Sequence, residues 1–510
     1  MRIIGTFLKK TNGLVYRRVQ QKGGKKREWT DDLLNLLKIA NRTTFGIRYN
    51  FSDILKSEDL IKSYQLNVPI ADYDEFYDKW LKNGMLGLKD HTWPGRIRHY
   101  ALSSGTTGSP SKRIPITNQM IRSFQKSSIS QLAMLHELNL SSDFYGGQLL
   151  AVGGSSRLTK KGQYLEGDLS GILKKYSSFI VTPLTKPGIK ITKESQWKVK
   201  LDLMVEKAPE WNISIIAGVP SWCILLMERI VDHYNLTNIH EIWPNLEVYV
   251  HGGVFIEPYT SRLEKIFGRK VFLLDTYLAS EGYFAYQHTT SKKGMKLLLN
   301  AGVFYEFVPF NSNYFDENGS LKNDYIALTL NEVMPAVNYA LVVSTNAGLW
   351  RYMIGDLVQF TDVEQREIIL TGRIKQYLSV CGEHLSLDNI NQALSFVSKK
   401  LKIDITEFTI YVNEDNMNHH WFLGTNSEID IEKISREIDQ KLMEINDDYK
   451  CARSINLKNP VLTVLPVEKF YLFLESKGKL GAQIKFPRVL NKEQSIEWLN
   501  FIENLEFTYS

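Results

Sequence analysis

Short, nearly continuous apolar runs recur through the middle of the chain, each running into glycine, proline or a polar residue. They are QLLAVGG (148–154), ISIIAGVP (213–220), LEVYVHGG (246–253) and KVFLLDTY (270–277). Apolar runs without alternation are the signature of strands buried on both faces of a parallel sheet. Between them, SWCILLMERIVDHY (221–234) and PYTSRLEKIF (258–267) carry apolar residues at helical spacing. Residues 30–65 also read as helical, with Leu33, Leu34, Leu36, Leu37 and Ile39 forming the stripe. In an open α/β sheet ligands gather where the strands end. Here those ends are GGSS (153–156), GVPS (218–221), HGGV (251–254) and YLASEG (277–282), so the small residues predict one crevice along one rim.

A second section, 300–370, is richer in β pattern: KLLLNAGVFYEFVPF, YIALTLNEV and YALVVSTNAGLWRYMIGDLVQFT. Beyond it the pattern predicts a helix (388–400), a strand pair (406–424), a charged helix (430–446) and a tail of short strands. The expected organisation is a large α/β domain over 1–372, with mixed sheets and flanking helices. A small mobile α+β domain follows over 373–510, with a hinge near 373–376.

Bulk properties narrow the class. With 510 residues, 43% apolar and 23% charged, the chain is an ordinary globular protein too long for one core. No apolar run approaches the roughly 20 residues that span a bilayer, and MRIIGTFL lacks the features of a secretory leader. Cys223, Cys381 and Cys451 are too scattered for a disulfide framework or a zinc site, which points to a cytoplasmic protein. The net charge of +6 comes from residues 1–27, which hold nine Lys/Arg and no Asp/Glu. The run KGGKKRE there reads as a solvated loop, with contact to nucleic acid or anionic lipid as the alternative. Nothing else in the pattern suggests nucleic acid.

SSGTTGSPSK (103–112) looks suited to phosphate, since hydroxyls and free N–H groups donate to phosphate oxygens and glycine lets backbone approach closely. It is not a Walker loop: counted from Gly105, the second glycine falls on Pro110, and Arg113 stands where a magnesium-binding hydroxyl belongs. A plain solvated loop is the alternative. Three further stretches carry candidate chemistry. TYLASEG holds Tyr277, Ser280 and Glu281; LWRYMIGDL holds Asp356; GAQIKFPR holds Lys485. Taken singly, each has an ordinary structural explanation.

Taken in order, these motifs resemble the adenylate-forming superfamily and, within it, the Gretchen Hagen family of auxin-responsive acyl acid amido synthetases. SSGTTGSPSK stands for the family's Ser-Ser-Gly-Thr-Ser and downstream lysine, YLASEG for its Tyr-x-Ser-Ser-Glu, and RYMIGD for its Tyr-Arg-x-Gly-Asp. HGGVFIEPY, TGRIKQYLSVCGEHLSLDNI and ANRTTFGIRYNFSDI also fit, so the resemblance spans nearly the whole chain. It implies an ATP- and Mg²⁺-dependent ligase that activates a carboxylic acid as an acyl-adenylate. The acyl group would then pass to an amine, such as an amino acid. Coenzyme A as acceptor, or a non-catalytic binding member of the fold, are the alternatives.

By the same resemblance, Ser103, Ser104, Gly105, Thr106, Thr107 and Lys112 would hold the ATP phosphates. Gly252, Gly253 and Tyr277 would flank adenine, and Ser280 would touch the α-phosphate. Glu281 would hold magnesium. Asp356 would bind the ribose hydroxyls, supported by Arg373, and Lys375 would take the hinge position. Lys485, or else Lys477 or Lys479, would approach the adenylate. The acyl pocket would draw on Ser155, Val219, Trp222, Tyr283 and Phe284. Met353 and Trp350 replace an arginine and a tyrosine of plant members, so an auxin substrate does not follow.

Overall fold

The computed structural model describes residues 2–508 apart from 25–28, 104–111, 177–181, 254, 257–258, 290–293, 300, 317–318, 375–377, 379–384, 414–415, 428 and 478–485. Backbone contacts group the chain into two compact units. The larger takes 1–103, 111–253 and 266–370, and the smaller takes 104–110, 254–265 and 371–510.

The larger unit holds two sheets. A four-stranded sheet is formed by β1 (His99–Ser103), β2 (Lys112–Ile116), β4 (Thr159–Lys161) and β5 (Tyr164–Gly167), in the order β2-β1-β5-β4. The main sheet has eleven strands: β3 (Gln148–Val152), β6 (Thr185–Lys186), β7 (Ile213–Gly218), β8 (Val248–Gly252), β9 (Phe272–Ala279), β10 (Gly282–Tyr286), β11 (Met295–Leu297), β12 (Val303–Pro309), β13 (Asn338–Thr345), β14 (Tyr352–Asp362) and β15 (Glu367–Arg373). Their order is β12-β13-β14-β15-β11-β10-β9-β8-β7-β3-β6.

The four apolar runs are the adjacent parallel strands β3, β7, β8 and β9, with Val152 opposite Gly218, Ala217 opposite Val250 and Gly252 opposite Thr276. Parallel pairing puts all four carboxyl ends on one rim, as the turn residues predict. The helix Pro220–His233 follows β7, with proline at its first turn, where a missing N–H costs nothing.

Residues 30–65 fold as four helices: Thr30–Ala40, Thr44–Arg48, Phe51–Ile54 and the start of Leu60–Asn67. Leu33, Leu36 and Leu37 are buried in the core with Phe45, Phe51, Trp350 and Tyr352, whereas Ile39 is exposed. The apolar run 325–333 does not make a strand. Only Leu328 bridges to Phe307. The Glu332 carboxylate accepts from the Thr329 N–H (2.8 Å) and hydroxyl (2.5 Å), which closes a turn and ends the pairing.

The smaller unit has a sheet ordered β18-β17-β16-β19, from β16 (Glu407–Asn413), β17 (Asn418–Gly424), β18 (Val461–Leu465) and β19 (Val489–Leu490). The helices Leu387–Leu401 and Ile431–Ile445 fall where the pattern places them. The expected tail of short strands is instead mostly helical, with Val467–Ser476 and Lys492–Thr508 flanking a two-residue strand. Phe470, Phe473 and Leu474 recur at helical rather than alternating spacing, and they pack on Phe486, Trp498 and Ile502.

Candidate functional site

β9 and β10 form a tight hairpin with Ala279 paired to Gly282, so Ser280 and Glu281 occupy the turn at the strand ends. Glu281 is buried and Ser280 half-buried. On β14 the register with β13 steps from Val342 opposite Met353 to Ala340 opposite Leu357. Ile354, Gly355 and Asp356 therefore crowd against the single residue Leu341, a bulge of the kind that re-aims a side chain. Gly355 sits at φ +94°, and a side chain placed there would meet no atom within 4 Å. Only glycine suits that backbone, and the space beside it is open.

The bulge brings two distant motifs together. The Tyr277 hydroxyl donates to Asp356 Oδ2 at 2.7 Å, with both side chains buried. The Tyr277 ring meets Phe284 edge-on at 5.0 Å. Tyr352, two residues past Trp350, is fully buried, and its hydroxyl has no hydrogen-bond partner among the described residues. Burial pushes that phenol well above its ordinary range, reinforced by the charge of Glu281, then Tyr73, Asp72 and Asp356. Glu281, Asp356 and an unpaired donor thus share one neighbourhood. The residue was not singled out in the sequence, although it lies inside RYMIGD.

At the end of β8, Gly252 is pressed on the next strand, where a Cβ would come within 2.3 Å of the Thr276 carbonyl oxygen. Gly253 follows at φ +82°. Before them His251 is buried with Nδ1 3.5 Å from Asp275 Oδ1, and desolvation holds its imidazole down to about 4, so it is neutral near pH 7.

Ser103 ends β1 directly opposite Lys112, the first residue of β2, so the hydroxyl-rich stretch connects an antiparallel hairpin. Ser104, Gly105, Thr106 and Thr107 lie outside the described residues. Lys112 Nζ stands 5.2 Å above the Tyr73 ring, whose hydroxyl accepts from the Arg113 N–H at 2.8 Å. Arg113 in turn pairs with Glu166 at 2.9 Å.

Of the residues expected around the acyl group, Ser155 and Val219 follow the ends of β3 and β7, Trp222 is on the helix after β7, and Tyr283 and Phe284 are on β10. Ser155 Oγ donates to the Lys193 carbonyl at 3.3 Å. Val219 caps the helix on which Trp222 is buried, edge-on to Trp197 at 4.9 Å. The Tyr283 hydroxyl donates to Gln131 at 2.5 Å, and Phe284 is a core residue beside Tyr305. Two side chains absent from the sequence reading join the strand-end rim: buried Lys200, which donates to the carbonyls of Gly153 and Gly154 at 2.8 Å each, and Asp168. A lone lysine and a lone aspartate on helical segments carry no sequence signal for that role.

Arg373 is the exposed last residue of β15. In the smaller unit Lys477 ends a helix and pairs with Glu497 at 3.0 Å. Lys375, Lys479, Lys485 and Cys381 lie outside the described residues.

Beside Asp356 the backbone at Gly355 faces open space, whereas Gly252 is pressed on Thr276 and the Tyr352 hydroxyl is enclosed. No cluster of three or more metal-ligating side chains occurs among the described residues.

Comparison with solved structures places the fold. A GH3.15 acyl acid amido synthetase superposes over 99% of this chain and 96% of its own, with a TM-score of 0.76 at 16% identity. A 2-hydroxyisobutyryl-CoA ligase with its adenylate bound matches at a TM-score of 0.59 over 92% of this chain and 90% of its own, at 13% identity. The architecture is that of the adenylate-forming enzymes. Within it, the chain belongs to the GH3 family: the family's N-terminal domain matches residues 29–204, its central domain 296–368 and its C-terminal domain 388–494.

Among sequence relatives, a jasmonoyl–L-amino acid synthetase GH3.5 of Oryza sativa subsp. japonica is 25% identical over 282 residues, covering 50% of this chain and 48% of its own length. An indole-3-acetic acid-amido synthetase GH3.17 of Arabidopsis thaliana is 25% identical over 306 residues, covering 51% and 49%. The chain spans about half the length of the curated relatives it matches.

Proposed function

We propose that this protein is an ATP-dependent acyl acid amido synthetase. A carboxylic acid would attack the α-phosphorus of ATP, releasing pyrophosphate and leaving an acyl-adenylate. An amine, such as that of an amino acid, would then displace AMP to give the amide. The observation that carries this reading is the buried Tyr277–Asp356 hydrogen bond, which joins two motifs 79 residues apart beside an open glycine face.

Joining two anions is the chemical difficulty, and it calls for cationic and N–H/O–H groups aimed at the phosphate oxygens. The carboxylate of Asp356 would accept the paired ribose hydroxyls, oriented by Tyr277, and Arg373 would support the ribose. Gly252 and Gly253 would give the adenine a flat approach. Residues 103–107, Lys112 and Ser280 would donate to the phosphates. Glu281 would hold the magnesium ion, which neutralises phosphate charge when bound. Lys485 of the C-terminal domain, the mobile domain over 373–510, would complete the donors around the adenylate. The acid would lie against Ser155, Val219, Trp222, Tyr283 and Phe284, whose apolar character suits an aryl or alkyl group. A cytoplasmic location fits the scattered cysteines. No helix among the described residues is long and apolar enough to cross a membrane.

The test is acid-dependent ATP–pyrophosphate exchange over aryl, indolyl, jasmonate-like and fatty acids, with Asp356→Ala as the blank. Exchange with one acid, absent in the blank, supports adenylation. Amide formation with an amino acid then supports the synthetase, while thioester formation with coenzyme A makes the protein a ligase of that kind. ATP binding without exchange for any acid counts against the enzyme, and no ATP binding favours a non-catalytic member.

A further inference from the structure

The turn after β3 is held far more tightly than a surface connection requires. Gly153 packs on Ser170, where a Cβ would stand 3.0 Å from its hydroxyl. Gly154 lies so close to Asp168 that any side chain would collide with the carboxylate, and the Ser155 carbonyl oxygen presses on Gly171 at 2.3 Å from a would-be Cβ. All three contacts are with residues 168–171, at the start of the helix Leu169–Lys175. Asp168 occupies the N-cap position of that helix, yet its carboxylate makes no cap bond and instead accepts the backbone N–H of Ser155. On the third side the Ser156 N–H donates to the Thr192 carbonyl at 2.7 Å.

Lys200 closes the arrangement from the helix Trp197–Lys207. The residue is only 3% exposed, and its ammonium donates to two successive carbonyls, Gly153 and Gly154, at 2.8 Å each. It also lies 5.8 Å from the ring centre of Trp197, whose indole packs edge-on against Trp222. An ammonium buried against neutral carbonyls is costly, and the cost is visible here: desolvation brings Lys200 down to about 8, against the opposing pull of Asp168 and Glu194. Desolvation likewise raises Asp168, with Lys200 and the Ser155 N–H opposing. The segment so fixed lies on the strand-end rim where open α/β sheets bind ligands.

We infer that Lys200, with Asp168, is a positioning residue that clamps the 153–156 turn as a rigid wall of the acid-binding site and thereby sets which acids are accepted. The inference rests on the amido-synthetase reading and goes beyond it, because neither side chain need touch the substrate. A wall misplaced by about 1 Å costs up to about a hundredfold in rate or affinity. The acid half of the reaction is expected to change most, since the Tyr277–Asp356 pair proposed to hold the ribose lies on β9 and β14.

The experiment is ATP–pyrophosphate exchange by wild type and Lys200→Met over a graded series of acids, with the melting temperature recorded to establish folding. For Lys200→Met the expected result is a KM for the preferred acid raised about tenfold or more. The KM for ATP and kcat stay within about twofold, and the preference between small and large acids shrinks. A folded Lys200→Met with unchanged acid KM and preference overturns the inference and leaves the function standing. Absence of exchange with every acid in the wild type overturns both. Should Lys200→Met not fold, Asp168→Asn removes the charge from the opposite side of the same turn. Its acid KM and preference are read in the same way, a shift supporting the clamp and no shift refuting it.

Discussion

Replacing Tyr277 by phenylalanine removes one oxygen and keeps the ring. The edge-on contact with Phe284 at 5.0 Å survives, so the core loses almost no packing. What goes is the 2.7 Å donation to Asp356 Oδ2 in a buried setting. A hydrogen bond to a charged group contributes about 1.5–3 kcal/mol. At about 1.4 kcal/mol per decade, that is roughly a 10- to 150-fold change in any constant that depends on Asp356 being correctly aimed. The expected outcome is a fall of that order in kcat/KM for ATP in pyrophosphate exchange, with the KM for the acid unmoved. A double-mutant cycle read as ATP affinity isolates the coupling: in an Asp356→Ala background, which leaves no acceptor at that position, Tyr277→Phe is expected to cost almost nothing further. A folded Tyr277→Phe protein with kcat/KM for ATP within about twofold of wild type would refute the claim that this pair organises the nucleotide site.

Arg351 and Glu306 form a fully buried bidentate pair at 2.9 and 3.0 Å, with Nη1 donating to the carbonyls of Gln65 and Val68. Arg351→Met strands the glutamate and is expected to destabilise by about 3–5 kcal/mol in urea unfolding, with the double Arg351→Met/Glu306→Met protein recovering most of that loss. His251 is held near 4 by burial against an ordinary value of 6.5. The unfolded chain therefore binds the proton first, so the stability this histidine confers is complete above about pH 6.5 and lost as pH falls toward 4. His251→Asn is expected to flatten urea-measured stability across that window by up to about 3 kcal/mol. Chelating magnesium is expected to abolish exchange reversibly, and Glu281→Gln to raise the magnesium concentration for half-maximal exchange about tenfold or more, as one of few protein ligands is lost.

Near-continuous apolar runs placed the parallel strands, because strands buried on both faces are mostly apolar; β3, β7, β8 and β9 are, and the polar His251 and Asp275 they carry face one another. The apolar pattern misread 467–508 because aromatic residues suit either element. There the spacing of Phe470, Phe473 and Leu474 decides for helix. Residues 325–333 show the converse, apolar enough for a strand but closed into a turn by the local Thr329–Glu332 contact, three residues apart, which the apolar pattern does not record. At the candidate site, Asp356 and Glu281 were singled out by the order of the motifs that resemble the family's, and in the structure each stands beside a glycine, Asp356 after Gly355 and Glu281 before Gly282. Lys200, Asp168 and Tyr352 were not, for a common reason. Each owes its character to burial and to partners far along the chain, the carbonyls of Gly153 and Gly154 for Lys200 and the charges of Glu281 and Asp356 for Tyr352. A motif records what the ligand demands of adjacent residues. What holds those residues still is distributed over helices whose own sequence pattern is satisfied by any good helix former, so the support of a site, and with it selectivity, is where structure adds most to sequence.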